Sequence, residues 1–251
     1  MSNRVALVTG GAQGIGKGIV TTLGEQGFRV AVADLNLAAA EETAKEITAA
    51  GGEALAVQID VTSTESVRAA VSTIEHELGP IEVVVNNAGW DDFMPFVKTT
   101  EEFWDRILDI NYKGALRVLH TVVPGMIERG FGRVINIGSD AGRVGSSLEA
   151  VYSGAKGGII AFTKTLAREV ATKGVTANVV CPGPTDTPAL RKFADGSGDA
   201  EKVISGMTRA VPMKRLGTPS DIGPAVAFFA SDGAGFVTGQ TLSVSGGLTM
   251  A

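Results

Sequence analysis

Short apolar runs rich in β-branched residues alternate along the chain with longer segments of helical period, and this alternation constrains the fold most. The apolar runs are Arg4–Val8, Phe28–Ala33, Ala54–Ile59, Glu82–Val85, Arg133–Ile137, Val175–Val180 and Thr241–Val244. The segments of helical period between them are Gly14–Gln26, Leu37–Ala50, Ser63–Leu78, Thr100–Arg129, Val151–Lys173 and Pro219–Ala230. Strands that alternate with helices predict βαβ units and a parallel sheet.

Several of these runs are apolar at nearly every position, which is typical of strands covered by helices on both faces. We therefore predict an α/β protein with a doubly wound, Rossmann-type fold, in which helices flank both faces of a seven-stranded parallel sheet. No linker or charge block divides residues 1–251, so a single dinucleotide-binding domain is expected. The glycine-containing stretch 186–212 breaks the rhythm, and its position after a strand predicts a mobile substrate lid.

Composition excludes several functional classes. The formal net charge is −5, whereas a nucleic-acid binder should carry a basic face. A single cysteine, Cys181, can form neither an internal disulfide nor a cysteine zinc site. Neither a signal peptide nor an apolar run of about 18 residues is evident, so no membrane span and a cytoplasmic location are expected.

A glycine-rich loop follows the first predicted strand directly, with Gly10, Gly14 and Gly16 around Gln13 and Ile15. Glycine permits the tight turn and a close backbone approach to a pyrophosphate, and the following helix N-terminus attracts phosphate. The loop therefore predicts a dinucleotide site.

The second predicted strand ends at Asp34, 20 residues after Gly14. A carboxylate here can accept hydrogen bonds from a ribose 2′-hydroxyl and would repel a 2′-phosphate. Leu35 and Gln13 supply no positive charge, so NAD is the expected cofactor. Asp34 could instead cap the next helix. Asp60 and Val61, at the end of the third strand, could border the adenine.

Four polar residues form a candidate catalytic group. Tyr152 and Lys156 lie four residues apart in a predicted helix and share a face. A nearby ammonium lowers the pKa of a phenol, which could then exchange a proton with an alcohol. Ser139 ends the fifth strand, where a hydroxyl could hold a substrate oxygen. Asn111 lies in the long fourth helical segment, where it could also be an ordinary surface residue.

These residues, with several motifs, make the whole chain resemble the short-chain dehydrogenase/reductases. The matching motifs are Thr9-Gly10-x-x-x-Gly14-Ile15-Gly16, Asp60-Val61, Asn86-Asn87-Ala88-Gly89, Asn111, Ser139, Tyr152-x-x-x-Lys156 and Pro182-Gly183-x-x-x-Thr187. The resemblance implies that Tyr152 is the general acid/base, assisted by Lys156, Ser139 and Asn111. Asn111 would hold a water in a proton relay to Lys156.

The resemblance also implies a cofactor site, a metal-free reaction and a homotetramer. The expected cofactor-binding residues are Gly10, Gln13, Gly14, Ile15, Gly16, Asp34, Leu35, Asp60, Val61, Asn87, Ala88, Gly89, Tyr152, Lys156, Pro182, Gly183, Thr185 and Thr187. The expected substrate-contacting residues, which follow the fourth to sixth strands, are Trp90, Met94, Arg143, Val144 and Leu190.

Three functions remain open at this stage. The stretches 86–91, 139–152 and 181–187 resemble 2-hydroxycyclohexanecarboxyl-CoA dehydrogenases and 1-phenylethanol-type dehydrogenases, including those of 1-(4-hydroxyphenyl)ethanol. The main expectation is therefore NAD-dependent oxidation of an aromatic or alicyclic secondary alcohol, a small-molecule substrate. The alternatives are a 3-oxoacyl-[acyl-carrier-protein] reductase and a non-catalytic NAD-binding regulator; such regulators tend to lose the tyrosine or the lysine.

Overall fold

A computed structural model describes residues 3–196 and 198–250 and contains the predicted seven-stranded sheet. All neighbouring strands pair in parallel, in the order β3-β2-β1-β4-β5-β6-β7. The strands are β1 (Val5–Thr9), β2 (Arg29–Asp34), β3 (Glu53–Gln58), β4 (Ile81–Asn86), β5 (Gly132–Ile137), β6 (Val175–Pro182) and β7 (Thr241–Val244). The predicted fold class is confirmed.

Helices cover both faces of the sheet. They are α1 (Gly14–Glu25), α2 (Leu37–Ala49), α3 (Thr64–Glu77), α4 (Glu101–Leu108), α5 (Gly114–Arg129), α6 (Ala141–Val144), α7 (Ala150–Val170), α8 (Pro188–Gly196), α9 (Ala200–Ala210) and α10 (Pro219–Ala230). Alternate residues of a strand point to opposite faces, and β1 shows this directly. Val5 and Leu7 join the core under α3, α5 and α7, whereas Ala6 and Val8 join the core under α1 and α10.

Two predicted segments differ from the structure. The segment Thr100–Arg129 was expected to be one helix, but a π-helical turn over Asp109–Lys113 separates α4 from α5. The proposed lid at 186–212 is not an open loop, since most of it forms α8 and α9; residue 197 lies outside the described residues. Within the described ranges, no helix is both long and apolar enough to cross a membrane.

The strand order reverses between β1 and β4, whose carboxyl ends point to the same edge of the sheet. A reversal of this kind leaves a crevice outside the strand ends, which is where open α/β sheets bind ligands.

Candidate active site

The glycine-rich loop forms a cradle at the carboxyl end of β1. Gly10 and Gly14 adopt positive φ angles of 63° and 54°, which disfavour residues with a side chain. A Cβ atom on Gly16 would lie 1.9 Å from the carbonyl oxygen of Gly10, so only glycine fits. Gln13, at the N-cap of α1, forms no side-chain capping bond with the first N–H groups of the helix. These features fit a pyrophosphate, which the free N–H groups and the helix dipole would hold.

Hydrogen bonds join the cradle to the end of β4. The Asn87 side-chain amide donates to the carbonyl oxygens of Thr9 and Gly10 at 3.0 and 2.9 Å. The backbone N–H groups of Asn87 and Ala88 both donate to the Thr9 hydroxyl at 3.1 Å. Asn87 and Ala88 therefore shape the cradle from behind, and the site requires their positions as well as the glycines.

Asp34 lies beside the cradle. Its carboxylate accepts hydrogen bonds from the backbone N–H groups of Ala12 at 3.1 Å and Asn36 at 3.0 Å. Asn36, rather than Asp34, caps α2, so the capping alternative for Asp34 is wrong. Leu35 is 64% exposed next to it. Lys17, in the first turn of α1, forms an ion pair of 2.7 Å with Glu46.

The predicted adenine border and nicotinamide side are also formed by ordered turns. Asp60 accepts hydrogen bonds from both the backbone and the hydroxyl of Thr62, and Val61 is buried. At the end of β6, the residues Pro182, Gly183, Thr185 and Thr187 lead into α8. Thr185 is buried and donates to the Gly183 carbonyl, whereas the Thr187 hydroxyl accepts from the Leu190 N–H at the start of α8. A Cβ on Gly14 would lie 3.6 Å from the Thr187 methyl group, so this turn faces the cradle.

The structure brings Ser139, Tyr152 and Lys156 together. Ser139 follows β5, and its hydroxyl lies near enough to the Tyr152 hydroxyl to favour the phenolate. Lys156, one turn further along α7, is buried; its Nζ donates to the Ile137 carbonyl at 2.9 Å and lies 5.5 Å from the centre of the Tyr152 ring.

The expected lowering of the Tyr152 pKa is wrong for this arrangement of the chain's own residues. Burial, followed by the negative charges of Asp91 and Glu149, raises the pKa of the phenol above its ordinary value. The nearby Ser139 hydroxyl acts in the opposite direction, but its effect is weaker. Burial also lowers the pKa of Lys156 to about 8, which reduces the cost of its neutral form. Because the pKa of Tyr152 is raised, its phenol keeps its proton at neutral pH.

Asn111 is placed by the π-helical turn between α4 and α5, and it is buried. Its amide nitrogen donates to the carbonyl oxygens of Trp90 at 2.6 Å and Ile107 at 3.0 Å, and its oxygen accepts from the Trp90 N–H. Asn111 therefore fixes the backbone that follows Gly89. A cavity lined by Asn111 and Lys156 offers about 10 Å³ to the centre of a water molecule, close to the space that one water needs.

The five residues expected to contact substrate have different surroundings. The Trp90 ring packs on α4, between Phe103 at 5.8 Å and the Arg106 guanidinium at 3.8 Å. Met94 donates its backbone N–H to the Leu148 carbonyl. The remaining three are Arg143, Val144 and Leu190: Arg143 donates to Ser243 on β7, Val144 is 61% exposed, and Leu190 is half-buried in α8. Trp90 and Arg143 thus already have protein partners for their side chains.

Of four further residues that the fold places around the catalytic group, Phe93, Glu149 and Phe193 lie in the segments after the fourth to sixth strands, where the sequence predicts the substrate side, whereas Asp91 was missed. Phe93 stacks on Phe193 of α8, with ring centres 3.8 Å apart, so the segment after β4 and the predicted lid are in contact. Asp91 and Glu149 bring two carboxyl groups close to Tyr152. The position of Asp91, just after the Asn86-Asn87-Ala88-Gly89 motif, could have revealed it. Among the described residues, no cluster of side chains could hold a metal ion.

Comparison with known proteins finds similarity over nearly the entire chain. A family model described as "Enoyl-(Acyl carrier protein) reductase" matches residues 10–249. The acetoacetyl-CoA reductase of Shinella zoogloeoides is 41% identical over 246 residues, which cover 98% of each chain. The 3-oxoacyl-[acyl-carrier-protein] reductase of Staphylococcus epidermidis is 37% identical and covers 99% of this chain and 100% of its own.

A solved structure also matches. A variant of the actinorhodin polyketide ketoreductase, determined with NADPH, has a TM-score of 0.94 and 37% sequence identity. The match covers 98% of this chain and 97% of the ketoreductase. Each of these three relatives acts on a ketone or its alcohol, according to its name.

Proposed function

The chain belongs to the short-chain dehydrogenase/reductase family of nicotinamide-dependent oxidoreductases, and we propose on this premise that it interconverts a 3-oxoacyl thioester and the corresponding 3-hydroxyacyl thioester. The observation that carries the proposal is a protonated Tyr152 beside Ser139 and Lys156, in a chain related throughout its length to reductases of such thioesters. This is the alternative left open by the sequence, and the relatives support it better than the ring-alcohol reading.

The residues present fit a nicotinamide dinucleotide. The glycine cradle and the start of α1 would hold the pyrophosphate, Asp34 the adenine-side ribose, and Lys156 the nicotinamide ribose. When bound, the cofactor supplies or accepts the hydride. The turn from Pro182 to Thr187 would contact the carboxamide, since it faces the cradle at Gly14.

The protein's own part is to orient the ketone and to provide a proton. The hydroxyl groups of Ser139 and Tyr152 would hold the carbonyl oxygen, because they lie near each other at the end of β5. Because its pKa is raised, Tyr152 keeps its proton at neutral pH and can transfer it to the alkoxide oxygen that forms during reduction. Lys156 and a water in the cavity beside Asn111 would return a proton to the phenolate.

We further propose NADH rather than NADPH as the partner of this chain. A 2′-phosphate would lie next to the carboxylate of Asp34, and Lys17 is paired with Glu46. The NADPH in the related ketoreductase structure belongs to that protein and makes this preference worth measuring directly.

A ring substrate remains a second candidate, favoured by the aromatic pair Phe93 and Phe193 beside the site. The two candidates share one functional group, because 2-hydroxycyclohexanecarboxyl-CoA is itself a 3-hydroxyacyl thioester whose chain is closed into a ring. A 1-arylethanol lacks the thioester carbonyl. None of the relatives reported above is named for a ring alcohol, so a substrate panel must decide.

The proposal is tested by following NADH and NADPH at their shared absorbance band. The panel contains acetoacetyl-CoA, 2-oxocyclohexanecarboxyl-CoA and acetophenone, with the matching alcohols for the reverse direction. We expect the thioesters to be reduced with NADH, and Tyr152→Phe to lose at least about a hundredfold in kcat while it still binds NADH. Reduction of acetophenone alone would contradict the thioester proposal. Tight NADH binding without turnover of any substrate would favour a regulator.

We also propose that the chain forms a homotetramer. Near the C-terminus, large apolar side chains are exposed, with Phe236 fully exposed and Met250 89% exposed. Measurement of the molar mass by light scattering tests this assembly, and a monomer would contradict it.

A further inference from the structure

Asp91 is half-buried, and its carboxyl oxygens are poorly paired. Both oxygens are inaccessible to solvent, and neither forms a hydrogen bond of good geometry among the described residues; the backbone N–H of Asp92 favours the charged carboxylate, but by less than burial and Glu149 oppose it. Buried polar atoms in native proteins nearly always have partners, because an unsatisfied group costs about 1–3 kcal/mol. This poor pairing therefore needs an explanation in the function of the site.

The polar group that lies against Asp91 is another acid, Glu149. Two carboxyl groups can form a hydrogen bond with each other only if one of them keeps its proton. Burial and the proximity of Glu149 raise the pKa of Asp91 to about 8, so Asp91 keeps the proton at neutral pH. Glu149 directly precedes α7, at its N-cap position.

The fold places Asp91 and Glu149 on the side of the cleft where Tyr152 lies. Asp91 follows Trp90, whose backbone is fixed by Asn111, and the Met94–Leu148 hydrogen bond joins the two acidic segments. When ionised, Asp91 interacts electrostatically with both Tyr152 and Lys156, so it lies on the same side of the cleft as these two groups. The stack of Phe93 on Phe193 covers the same segment from the side of α8.

We propose that Asp91 is a specificity-determining residue, whose protonated carboxyl donates a hydrogen bond to the second carbonyl oxygen of the substrate. In a 3-oxoacyl thioester, this oxygen belongs to the thioester, whose carbonyl carbon is two bonds from the carbon of the ketone that Ser139 and Tyr152 would hold. Because both oxygens are covered in the free protein, binding must displace the Phe93–Phe193 stack; the Asp91 O–H then turns from Glu149 to the substrate oxygen, and no covalent bond is made or broken. The inference rests on the proposed function and adds the residue that distinguishes a 3-oxoacyl compound from a simple ketone.

The test compares two ketones of equal chain length. Ethyl acetoacetate carries the second carbonyl, whereas heptan-2-one has methylenes in place of both the ester carbonyl and the ester oxygen, and acetoacetyl-CoA serves as the full thioester. The variants are Asp91→Leu, which removes the donor, Asp91→Ala, a second donor-free variant in case leucine does not fit, and Asp91→Asn, which keeps an N–H donor. The matched control is Asp92→Asn, at the exposed neighbouring acid.

We expect Asp91→Leu and Asp91→Ala to lower kcat/KM for ethyl acetoacetate and acetoacetyl-CoA by about 10- to 100-fold, mainly through KM. The value for heptan-2-one should change by less than about threefold. Asp91→Asn should retain most of the discrimination, and Asp92→Asn should resemble the wild type. NADH binding, measured by fluorescence, should be unchanged in all four variants.

Two results would overturn the inference: an equal loss on both ketones, which indicates a general effect on Tyr152, or no loss on either. These results differ from a failure of the proposed function. In that case the wild type itself would reduce no 3-oxoacyl compound, and both proposals would be rejected together.

Discussion

Replacement of Lys156 by methionine distinguishes two effects of this residue: its buried charge lowers the free energy of unfolding, whereas its amine is required for the reaction. Burial lowers the pKa of the amine from 10.5 to about 8. Each pKa unit corresponds to about 1.4 kcal/mol of free energy between the charged and the neutral amine. The charged form therefore destabilises the folded state by about 3 kcal/mol at pH 7. Methionine has a similar length and no charge, but it leaves the Ile137 carbonyl without its donor, at a cost of about 1 kcal/mol. We expect Lys156→Met to be more stable by about 2 kcal/mol.

The pH dependence gives this prediction its sign. Below pH 8 the amine is charged in the folded and the unfolded chain, so the full destabilisation is present. Between pH 8 and 10.5 only the unfolded chain still binds the proton, and the destabilisation of the wild type decreases as the pH rises. The advantage of the variant should therefore be largest at pH 7 and below, should vanish near pH 10, and at higher pH should become a disadvantage of about 1 kcal/mol, because only the lost hydrogen bond to Ile137 remains.

Thermal unfolding at pH 7 and pH 10 measures this effect, and about 2 kcal/mol corresponds to an increase in Tm of roughly 4–8 °C for a chain of this size. The matched control is Lys164→Met, an exposed lysine two turns further along α7, which should change Tm little. The kcat of Lys156→Met should fall at least about a hundredfold. A variant that is less stable at pH 7, or a difference independent of pH, would refute the reasoning.

Two other predictions concern the cofactor site. Gly16→Ala places a Cβ 1.9 Å from the Gly10 carbonyl oxygen, so the loop must move by more than 1 Å; we expect a Kd for NADH about a hundredfold higher by titration. The control is Gly154→Ala, because a Cβ at position 154 would have no atom within 4 Å. This control should stabilise α7 by about 0.5–1 kcal/mol. Comparable NADH affinities in Gly16→Ala and Gly154→Ala would contradict the steric argument. Asp34→Asn keeps the size of the side chain and removes its charge, so the ratio of kcat/KM for NADH over NADPH should fall at least about tenfold; an unchanged ratio would show that Asp34 does not select the cofactor.

The sheet could be predicted from sequence because its strands are buried on both faces and therefore consist almost entirely of apolar residues. Thr241–Val244 has the predicted bounds, and the other six strands differ from prediction by no more than two residues at either end. The break between α4 and α5 could not be seen, because a π-helical turn inserts one residue and hardly disturbs an amphipathic pattern. That turn positions Asn111, so the hidden irregularity belongs to the site.

The site was predicted in its residues but not in its electrostatics. Tyr152, Lys156 and Ser139 are brought together as their spacing and strand position suggested. The sign of the Tyr152 pKa change depends on burial and on Asp91 and Glu149, which are 61 and 3 residues away in sequence and meet only in the fold. A sequence pattern shows the lysine at i+4 but not the dielectric around the phenol. The stack of Phe93 on Phe193 was hidden for the same reason.

Burial shifts the pKa values of three ionisable groups around the site in a common direction, and this common direction indicates which substrates the site favours. Burial acts on Tyr152, Lys156 and Asp91 in the direction that favours the neutral form of each. A cleft that disfavours charge on its own side chains also disfavours charge on a ligand, because the same loss of hydration applies. A neutral 3-oxoacyl thioester or ester therefore suits the site, whereas a free 3-oxo carboxylate must lose its hydration beside the negative charge of Glu149. Acetoacetate should accordingly be reduced far less efficiently than ethyl acetoacetate, although both carry the same ketone.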